Sequence, residues 1–377
     1  MSIHADAAII GGGVNGASIA YRLARAGSKV VLCERYDFAS GATGSCDQAV
    51  FLQSKNPGIH LKLALDSAEL FPDLHRELDC TIDYFKDGGM ITIENENEMK
   101  VMTAFAEGQR KLGLDVEIIS RSEAAKRQRG LSPHLLGCTY SPQDGHVNPF
   151  KLALGFARAA RRHGAELLID AEVTGFRQEG GRIRGITTSR GDIEADITVL
   201  AAGAWSPLLA EKIGVYLPIK PRRGQIIITE PVPRYVTGTL LSGQYIVAKY
   251  HPEILKNSED LAIRLGVGLS LTQTVKGDIL IGASREFAGY DLRNTREGIR
   301  EILKNASRLI PGLADMNIIR VMAGLRPYTP DSLPLVGFIK GREGLFIAAG
   351  HEGDGIALSA ITGIIACGLI REGKAYT

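Results

Sequence analysis

The order of apolar and polar positions divides this chain into blocks of two kinds. Continuous apolar runs that end at turns are typical of strands buried on both faces of a parallel sheet, and they occur at residues 7–10, 29–33, 197–200 and 345–349. Alternating apolar and polar positions predict antiparallel strands at residues 218–229, 240–248, 261–270 and 278–284. Helical spacing of apolar positions predicts helices at residues 61–78, 95–112, 122–128, 150–163 and 295–310.

The alternating block interrupts two blocks of α/β character, which indicates an insertion. We predict an α/β fold, α+β overall, in which a Rossmann-like dinucleotide-binding domain carries an inserted antiparallel β-sheet domain for the substrate. The first domain would be discontinuous and comprise residues 1–85, 146–217 and 325–377, and the substrate-binding domain would comprise residues 86–145 and 218–324.

Gly11, Gly13 and Gly16 stand in the G-x-G-x-x-G register between the first apolar run and an alanine-rich helix. The first glycine permits a tight turn, the second lets the backbone approach a pyrophosphate, and the third lets helix and strand pack closely. Glu34 follows the next strand, where a carboxylate accepts hydrogen bonds from an adenosine ribose. The alternative is a glycine-rich turn in an α/β protein without a cofactor, but the strand, the helix and the acidic partner together favour a dinucleotide site. These residues leave the choice between NAD and FAD open.

Composition narrows the class of partner. Apolar residues make up 45% of the 377 residues and charged residues 23%, which is typical of a globular protein. A net charge of +2 without a polybasic run argues against nucleic acid as the main partner. The 5 cysteines are scattered without a C-x-x-C pair, so they provide no zinc or iron–sulfur ligand set and fit the reduced thiols of a cytoplasmic protein.

Two features bear on membrane association. The first strand is predicted to start within a few residues of Met1, so we expect no signal peptide. The longest uncharged apolar stretch, residues 356–370, is too short to span a bilayer easily. We therefore expect a buried helix there, in a protein that is not an integral membrane protein.

Further motifs resemble one enzyme family. They are S-G-A-T-G at residues 40–44, A-A-G-A-W at 201–205, G-L-R-P-Y-T-P-D at 324–331 and A-A-G-H-E-G-D-G-I at 348–356. Together with the glycine turn, and in this order, they resemble the D-amino-acid oxidase family of FAD-dependent oxidoreductases, which includes glycine oxidase and sarcosine oxidase. Segments 46–58 and 349–358 are most similar to the flavoprotein (beta) subunits of opine oxidase, hydrogen cyanide synthase and D-hydroxyproline dehydrogenase. The resemblance extends from Asp6 to about Arg371 and implies FAD as the cofactor.

The resemblance also implies which residues meet FAD. They would hold the pyrophosphate and ribose, line the flavin loop, contact the adenine or approach the flavin ring, and they are Gly11, Gly13, Val14, Asn15, Gly16, Glu34, Arg35, Ser40, Thr43, Gly44, Ser45, Cys46, Val173, Ala202, Gly203, Gly353, Asp354, Gly355 and Ile356. Residues 353–356 stand where the final helix is expected to begin, and a helix N-terminus there would stabilise negative charge on reduced flavin. Family members with covalent flavin use a His or Cys at set positions; Cys46 lies near one, but we expect non-covalent FAD.

Three residues, Arg326, Tyr245 and His351, are candidates for the catalytic set. The resemblance matches Arg326 to the arginine that clamps the substrate carboxylate in glycine oxidase, and a guanidinium binds a carboxylate in bidentate fashion. The alternative is a structural arginine paired with Asp331. Tyr245 matches a pocket tyrosine that touches the same carboxylate, the alternative being a core aromatic residue on a strand. His351 is expected to be a structural or flavin-contacting residue rather than a general base.

One position departs from the pattern of glycine oxidase. Where that enzyme has a second arginine in the turn before the last helix, this chain has Gly353. We therefore expect fewer clamps on the substrate carboxylate, or a larger group in that space.

The resemblance implies an FAD-dependent amino acid oxidase or dehydrogenase. It would oxidise the C–N bond of an amino or imino acid, of the D-hydroxyproline or proline, opine or glycine type, by hydride transfer to flavin N5. Two alternatives stay open. One is oxidation of a 2-hydroxy acid or glycerol 3-phosphate, which needs a base near the hydroxyl. The other is a flavin-carrying subunit that is active only with partner subunits of an electron-transferring complex, which could hold it at the membrane periphery.

Overall fold

The computed structural model describes residues 3–250 and 258–373. Within these residues the strands β1 to β18 are, in chain order, Ile3–Ile10, Val30–Cys33, Ala49–Val50, Gly89–Ile93, Glu117–Ser120, Gly137–Ser141, Gly145–His146, Glu166–Leu168, Val173–Glu179, Arg182–Thr188, Gly191–Leu200, Lys220–Thr229, Thr239–Ser242, Ser270–Gln273, Ile279–Gly282, Ile318–Tyr328, Leu335–Phe338 and Leu345–Ala349. The α-helices α1 to α11 are, in chain order, Val14–Arg25, Ile59–Ala68, Phe71–Glu77, Glu96–Arg110, Arg121–Arg127, Pro149–Arg162, Ser206–Glu211, Gly243–Tyr250, Leu261–Arg264, Arg296–Leu309 and Ser359–Glu372.

A mostly parallel sheet is built from the continuous apolar runs. Its order is β17-β18-β11-β1-β2-β8, and the hairpin of β10 and β9 joins it beside β11. Strands β18, β11, β1, β2 and β8 run parallel, so their carboxyl ends meet at one edge. Helix α1 packs against α6 and α11, and Ile9, Ile19 and Phe156 lie fully buried in their shared core. Open α/β sheets bind their ligands at this edge.

The second sheet has the order β16-β12-β15-β14-β13-β4-β6-β5. It is antiparallel except where β13 runs parallel to β4. The long β12–β16 ladder sets Arg222 opposite Arg326 and Gly224 opposite Gly324, so two arginines emerge side by side on one face. The two sheets confirm the predicted mixed α/β fold class, whereas the predicted domain bounds stay a prediction.

The stretch 240–248, predicted to be one strand, is a short strand followed by a helix. Strand β13 ends at Ser242 and α8 begins at the next residue. The Ser242 hydroxyl accepts hydrogen bonds from Tyr245 N at 3.3 Å and from Leu269 N at 2.9 Å, so it caps the helix and ties it to the segment that precedes β14. Tyr245 therefore lies on a helix and not on a strand, because capping and tertiary contacts override the β preference of its neighbours.

Other predicted elements also have different bounds. Stretch 261–270 begins as helix α9, because Asp260 Oδ1 accepts a hydrogen bond from Ala262 N at 2.7 Å, and β14 starts only at Ser270. Stretch 61–78 is divided into α2 and α3, with Pro72 in the first turn of α3. The helices predicted around 95–112, 122–128, 150–163 and 295–310 are confirmed, with ends that differ by one or two residues.

The final helix begins at Ser359, three residues later than the predicted start at Ile356. Leu358 N already bonds to the Asp354 carbonyl at 2.9 Å, but Ser359 N bonds to the Ile356 carbonyl at 3.2 Å, which is a tighter turn than that of an α-helix, and the regular helix begins only at Ser359. In residues 3–250 and 258–373, this and every other helix is too short or too polar to cross a membrane.

Candidate functional site

A cavity of about 670 Å³ lies at the carboxyl edge of the parallel sheet and reaches the second sheet. Its wall combines residues of the turn after β1, of the loop 40–47, of the turn 201–205 after β11, and of the turn 351–356 after β18. Strands β12 and β16 and helix α8 contribute Gly224, Gly324, Arg326 and Tyr245. Both the volume and the place at the strand ends are typical of a cofactor or small-molecule site.

Most residues predicted to handle cofactor or substrate line this one cavity. They are Gly11, Gly13, Val14, Asn15, Glu34, Arg35, Ser40, Thr43, Ser45, Cys46, Val173, Ala202, Gly203, Tyr245, Arg326, His351, Gly353, Gly355 and Ile356. Gly16, Gly44 and Asp354 do not line it. The two glycines face backbone carbonyls, and Asp354 is turned into a buried ion cluster. The role of each residue in holding FAD stays a prediction.

The glycine turn leaves room for a ligand. A Cβ on Gly16 would lie 2.0 Å from the Gly11 carbonyl oxygen, so this glycine keeps α1 tight against β1. The nearest atom to a Cβ on Gly13 would be the Thr43 hydroxyl oxygen, at 3.3 Å, beside the cavity. The N–H groups in the first turn of α1 have no intrahelical acceptors, and Val14 N donates to the Thr43 hydroxyl oxygen at 3.1 Å. Such a cradle fits the pyrophosphate of a dinucleotide.

Glu34 is held on the cavity wall by backbone donors. It accepts hydrogen bonds from Gly12 N at 2.7 Å and from Tyr36 N at 3.0 Å. The adjacent Arg35 guanidinium carbon lies 4.6 Å from the centre of the Tyr36 ring and 5.6 Å from that of Trp205. A fixed carboxylate beside aromatic and cationic groups fits an adenosine moiety, whose ribose donates hydrogen bonds and whose base stacks.

The Cys46 thiol lies on the cavity wall and donates to the Thr43 carbonyl oxygen at 3.2 Å. Burial raises the pKa of this thiol to about 12. The thiol is therefore protonated at neutral pH, whereas the thiolate is the nucleophilic form. Cys46 is for this reason poorly suited to form a covalent link to a cofactor.

The turn after β18 places a carboxylate between two guanidinium groups. Glu352 Oε1 lies 3.4 Å from Arg222 Nη1 and 3.7 Å from Arg285 Nε, and all three side chains are fully buried. Burial alone would raise the pKa of Glu352, but the charges of Arg285 and Arg222 outweigh it and lower this pKa to about 2. Sequence reasoning missed this trio; the pair Arg222-Arg223 within an apolar strand was a signal for it.

Asp354 lies in a second buried ion cluster behind the same turn. Its carboxylate oxygens lie 2.7 Å from Lys55 Nζ, 2.8 Å from Lys249 Nζ and 3.0 Å from His60 Nε2. Burial alone would raise the pKa of Asp354, but Lys249 and Lys55 hold it well below its usual range. The sequence did not predict this cluster, because its members lie far apart along the chain and share no motif.

Arg326 presents unused donors to the cavity. Its Nη1 donates to the Ser284 carbonyl oxygen at 3.0 Å, which is its one hydrogen bond to a described residue. Asp331 instead accepts a hydrogen bond from Leu333 N, so the alternative of an Arg326–Asp331 pair is not found among the described residues. A Cβ on Gly224 would lie 2.0 Å from Arg326 Nη1, so the guanidinium packs on bare backbone.

His351 is a buried wall residue that is neutral at pH 7. Its Nε2 lies 3.1 Å from the Thr362 hydroxyl oxygen, and the residue is 3% exposed. Burial lowers the pKa of His351 to about 4. An imidazole with so low a pKa is a weak base at neutral pH, which fits the predicted structural role better than general-base catalysis.

Comparison with known proteins agrees with the family resemblance of the motifs. The sequence profile of the FAD dependent oxidoreductase (DAO) family matches residues 6–369. Hydrogen cyanide synthase subunit HcnC of Pseudomonas aeruginosa is 31% identical, over 97% of this chain and 92% of that protein. Glycine oxidase of Geobacillus kaustophilus is 30% identical, over 97% of this chain and 93% of that protein.

A solved structure has the same fold. The crystal structure of L-proline dehydrogenase from P. horikoshii superposes with a TM-score of 0.89 at 29% identity, covering 100% of this chain and 95% of that one. The resemblance inferred from the motifs is thereby confirmed over almost the whole chain.

Proposed function

The chain belongs to the FAD dependent oxidoreductase family and is an FAD-dependent enzyme of the glycine oxidase type, and we propose that it oxidises the C–N bond of an amino or imino acid. The observation that carries this proposal is the Arg326 guanidinium, which lines the cavity with donors that no described residue uses. A guanidinium of this kind binds a carboxylate in bidentate fashion, and every amino acid presents a carboxylate next to its amine. The names of the similar proteins, glycine oxidase and L-proline dehydrogenase, support this substrate class.

The cavity wall fits FAD along its length. Gly11, Gly13 and the first turn of α1 would hold the pyrophosphate, and Glu34 would hold the adenosine ribose. The backbone of Gly353, Gly355 and Ile356 would meet the flavin. When bound, FAD supplies the acceptor for a hydride. The protein itself supplies position and electrostatics.

In the proposed reaction, Arg326 takes the substrate carboxylate and thereby aims the α C–H bond. Tyr245, which lines the same cavity, adds a hydroxyl on that carboxylate. The amine enters as the neutral form, and the α carbon loses a hydride to give an iminium, which water hydrolyses or which persists as the imine when the substrate is cyclic. Because the amine has already released its ammonium proton to water when it enters, no residue is assigned as general base. D-hydroxyproline or proline, an opine, or glycine would satisfy these requirements.

Anaerobic mixing of the purified holoenzyme with a panel of amines and hydroxy acids tests the proposal. We expect the oxidised flavin absorbance to bleach with at least one member of the set D-hydroxyproline, proline, opines and glycine, and with no hydroxy acid. Bleaching by 2-hydroxy acids or glycerol 3-phosphate alone would overturn C–N oxidation.

Replacing His351 with glutamine should leave flavin reduction by the amino acid substrate within about tenfold of the parent rate, since loss of an essential general base lowers rates by about 10²–10⁴-fold. The imidazole is already neutral, and a glutamine amide can still reach the Thr362 hydroxyl. Stopped-flow absorbance under anaerobic conditions measures the rate. A loss above a hundredfold in a variant with a normal flavin spectrum would instead identify His351 as an essential general base.

Flavin should separate fully from the protein in acid. Because burial raises the pKa of the Cys46 thiol to about 12, the thiol is protonated at neutral pH and is a poor nucleophile toward the cofactor. Precipitation with trichloroacetic acid should leave the yellow colour in the supernatant, and the variant Cys46→Ser should behave identically. Yellow pellet from the parent and colourless pellet from Cys46→Ser would demonstrate a covalent link.

A second candidate is supported by one relative. Hydrogen cyanide synthase subunit HcnC is named as a subunit, so this chain too could carry FAD within a multi-subunit dehydrogenase. Size-exclusion chromatography after co-expression with the products of neighbouring genes distinguishes the two. Full turnover by the isolated chain would exclude an obligatory partner, and a stable complex with turnover only in the assembly would establish one.

A further inference from the structure

Arg285 is a buried arginine without a hydrogen-bond partner. It is 1% exposed, and its Nε, Nη1 and Nη2 atoms all lack an acceptor within the part of the chain that the structure describes. Buried charged groups are normally hydrogen-bonded, so this exception requires a reason. The equally buried Arg222 is different, since it donates to the carbonyl oxygens of Ala248 and Lys249.

Arg285 contacts the cavity wall at three places. Its guanidinium carbon lies 3.8 Å from the centre of the Tyr245 ring, which faces the cavity, and its Nε lies 3.7 Å from Glu352 Oε1. Its Nη2 lies 3.8 Å from the point where a Cβ on Gly353 would stand. Arg326 Nε lies 3.7 Å from that same point, so two guanidinium groups flank Gly353.

The trio behind Gly353 has an excess of positive charge. Glu352 is ionised and faces both Arg222 and Arg285, so the trio by itself carries one net positive charge; the next anion that acts on Arg285 is the Asp47 carboxylate on the cavity wall. Inside a protein, where the effective dielectric constant is low, such a charge acts on an anion several ångströms away. An anion beside Arg326 is therefore attracted by two guanidinium groups, one that it touches and one behind the Tyr245 ring.

We propose that Arg285 is a positioning residue of the carboxylate subsite: it holds the Tyr245 ring in place and supplies a second positive charge behind the anion that Arg326 binds. The proposal rests on the proposed function, since it requires that the cavity bind a carboxylate. It accounts for the tight stacking of a guanidinium on Tyr245, for the side chain's lack of hydrogen bonds, and for the bare backbone at Gly353, which leaves the space between the two arginines open.

The test uses acetate as the probe and acetamide as its neutral analogue, each titrated into the holoenzyme while the flavin absorbance reports binding. Arg285→Met should weaken acetate binding by about tenfold or more, because a nearby charge in a medium of low dielectric constant is lost, and should change acetamide binding by less than about twofold. Arg285→Lys, which restores the charge without the planar stack, should lie between Arg285→Met and the parent. Equal effects on acetate and acetamide, or no difference between Lys and Met, would overturn the electrostatic role.

A double-mutant cycle tests the action through Tyr245. If Arg285 positions the tyrosine, Arg285→Met combined with Tyr245→Phe should weaken acetate binding by less than the product of the two single effects. If the double variant weakens acetate binding by the full product of the two single effects, the two residues act independently, which would overturn the positioning role.

Further comparisons distinguish a failure of the inference about Arg285 from a failure of the proposed function. If Arg285→Met does not fold, Arg285→Gln replaces it as the neutral variant, and the same loss of acetate affinity is expected, with acetamide binding changed by less than about twofold. If the parent enzyme binds acetate and all Arg285 variants match it, the inference about Arg285 fails while the proposed function stands. If acetate does not perturb the parent flavin and the substrate panel also gives no bleaching, the proposed function itself fails.

Discussion

Replacing Arg326 with alanine should lower the efficiency of flavin reduction by the substrate on the order of 10²- to 10³-fold, because truncating one partner of a buried charge pair costs about 2–5 kcal/mol. The expectation rests on the position of the guanidinium, which lines the cavity and donates only to Ser284 among the described residues. Without it, the substrate carboxylate would enter the cavity unpaired, and the α C–H bond would no longer be held in one direction.

Anaerobic stopped-flow measurements separate two effects of the substitution. A higher apparent dissociation constant reports weaker binding of the substrate carboxylate, and a lower limiting rate reports that the α C–H bond is no longer aimed. Arg326→Lys is the matched control, since it keeps the positive charge and removes the planar fork, and it should recover part of the lost efficiency. Arg326 also packs on Gly224, so its replacement could destabilise the fold. Thermal unfolding of both variants measures this change in stability separately from substrate binding. Efficiency within about threefold of the parent would contradict the carboxylate role.

Replacing Asp354 with asparagine should lower the free energy of unfolding by about 3–5 kcal/mol, because it leaves buried cations without their counter-ion. Lys55, Lys249 and His60 all converge on this carboxylate within 3.0 Å, and Lys55 and Lys249 are almost completely buried. Urea unfolding followed by circular dichroism gives the difference. The matched control is Asp73→Asn, which makes the same chemical change in an exposed pair with Arg76 and should have little effect.

The same substitution should change the response to acid. The pKa of Asp354 is held well below its ordinary value of 3.8, so the folded state binds fewer protons than the unfolded state in this range. Its contribution to stability is therefore present above the unfolded pKa and is lost as the pH falls through the folded pKa. The Asp354→Asn protein should lose less stability than the parent below pH 4. Identical acid unfolding of parent, Asp354→Asn and Asp73→Asn would show that the buried cluster does not stabilise the fold.

Much of the cofactor site could be read from local spacing. The motif of Gly11, Gly13 and Gly16 specifies a strand, a turn and a helix within a few residues, and Glu34 follows at the end of the next strand, so one short segment contains the geometry of a dinucleotide site. The continuous apolar patterns predicted β1, β2, β11 and β18 of the parallel sheet, and the alternating patterns at residues 218–229 and 278–284 predicted β12 and β15 of the antiparallel one. Both signals are short-range, because they depend on backbone conformation and on which face of a strand is buried.

The position of Tyr245 could not be read in this way. The residues around Tyr245 have a high preference for strands, yet Ser242 caps a helix there. The Ser242 hydroxyl is itself held by Leu269 N, from a later segment of the same chain. Local preference is a weak determinant where a capping group and packing compete with it. The same holds for the final helix, whose start is set by a tight turn at Ser359 rather than by hydrophobicity.

What the sequence by itself determined is the fold class, which follows from glycine turns and apolar patterns that are complete within short segments. It also determined the family and FAD, which follow from the resemblance of its motifs to a known family, since the glycine turn alone leaves NAD and FAD open. What only the tertiary structure decided is the charge around the cavity. Asp354 meets Lys249, which is 105 residues away, and Glu352 meets Arg222, which is 130 residues away. Whether a buried charge finds a counter-ion depends on distances across the fold, and no spacing along the chain encodes them.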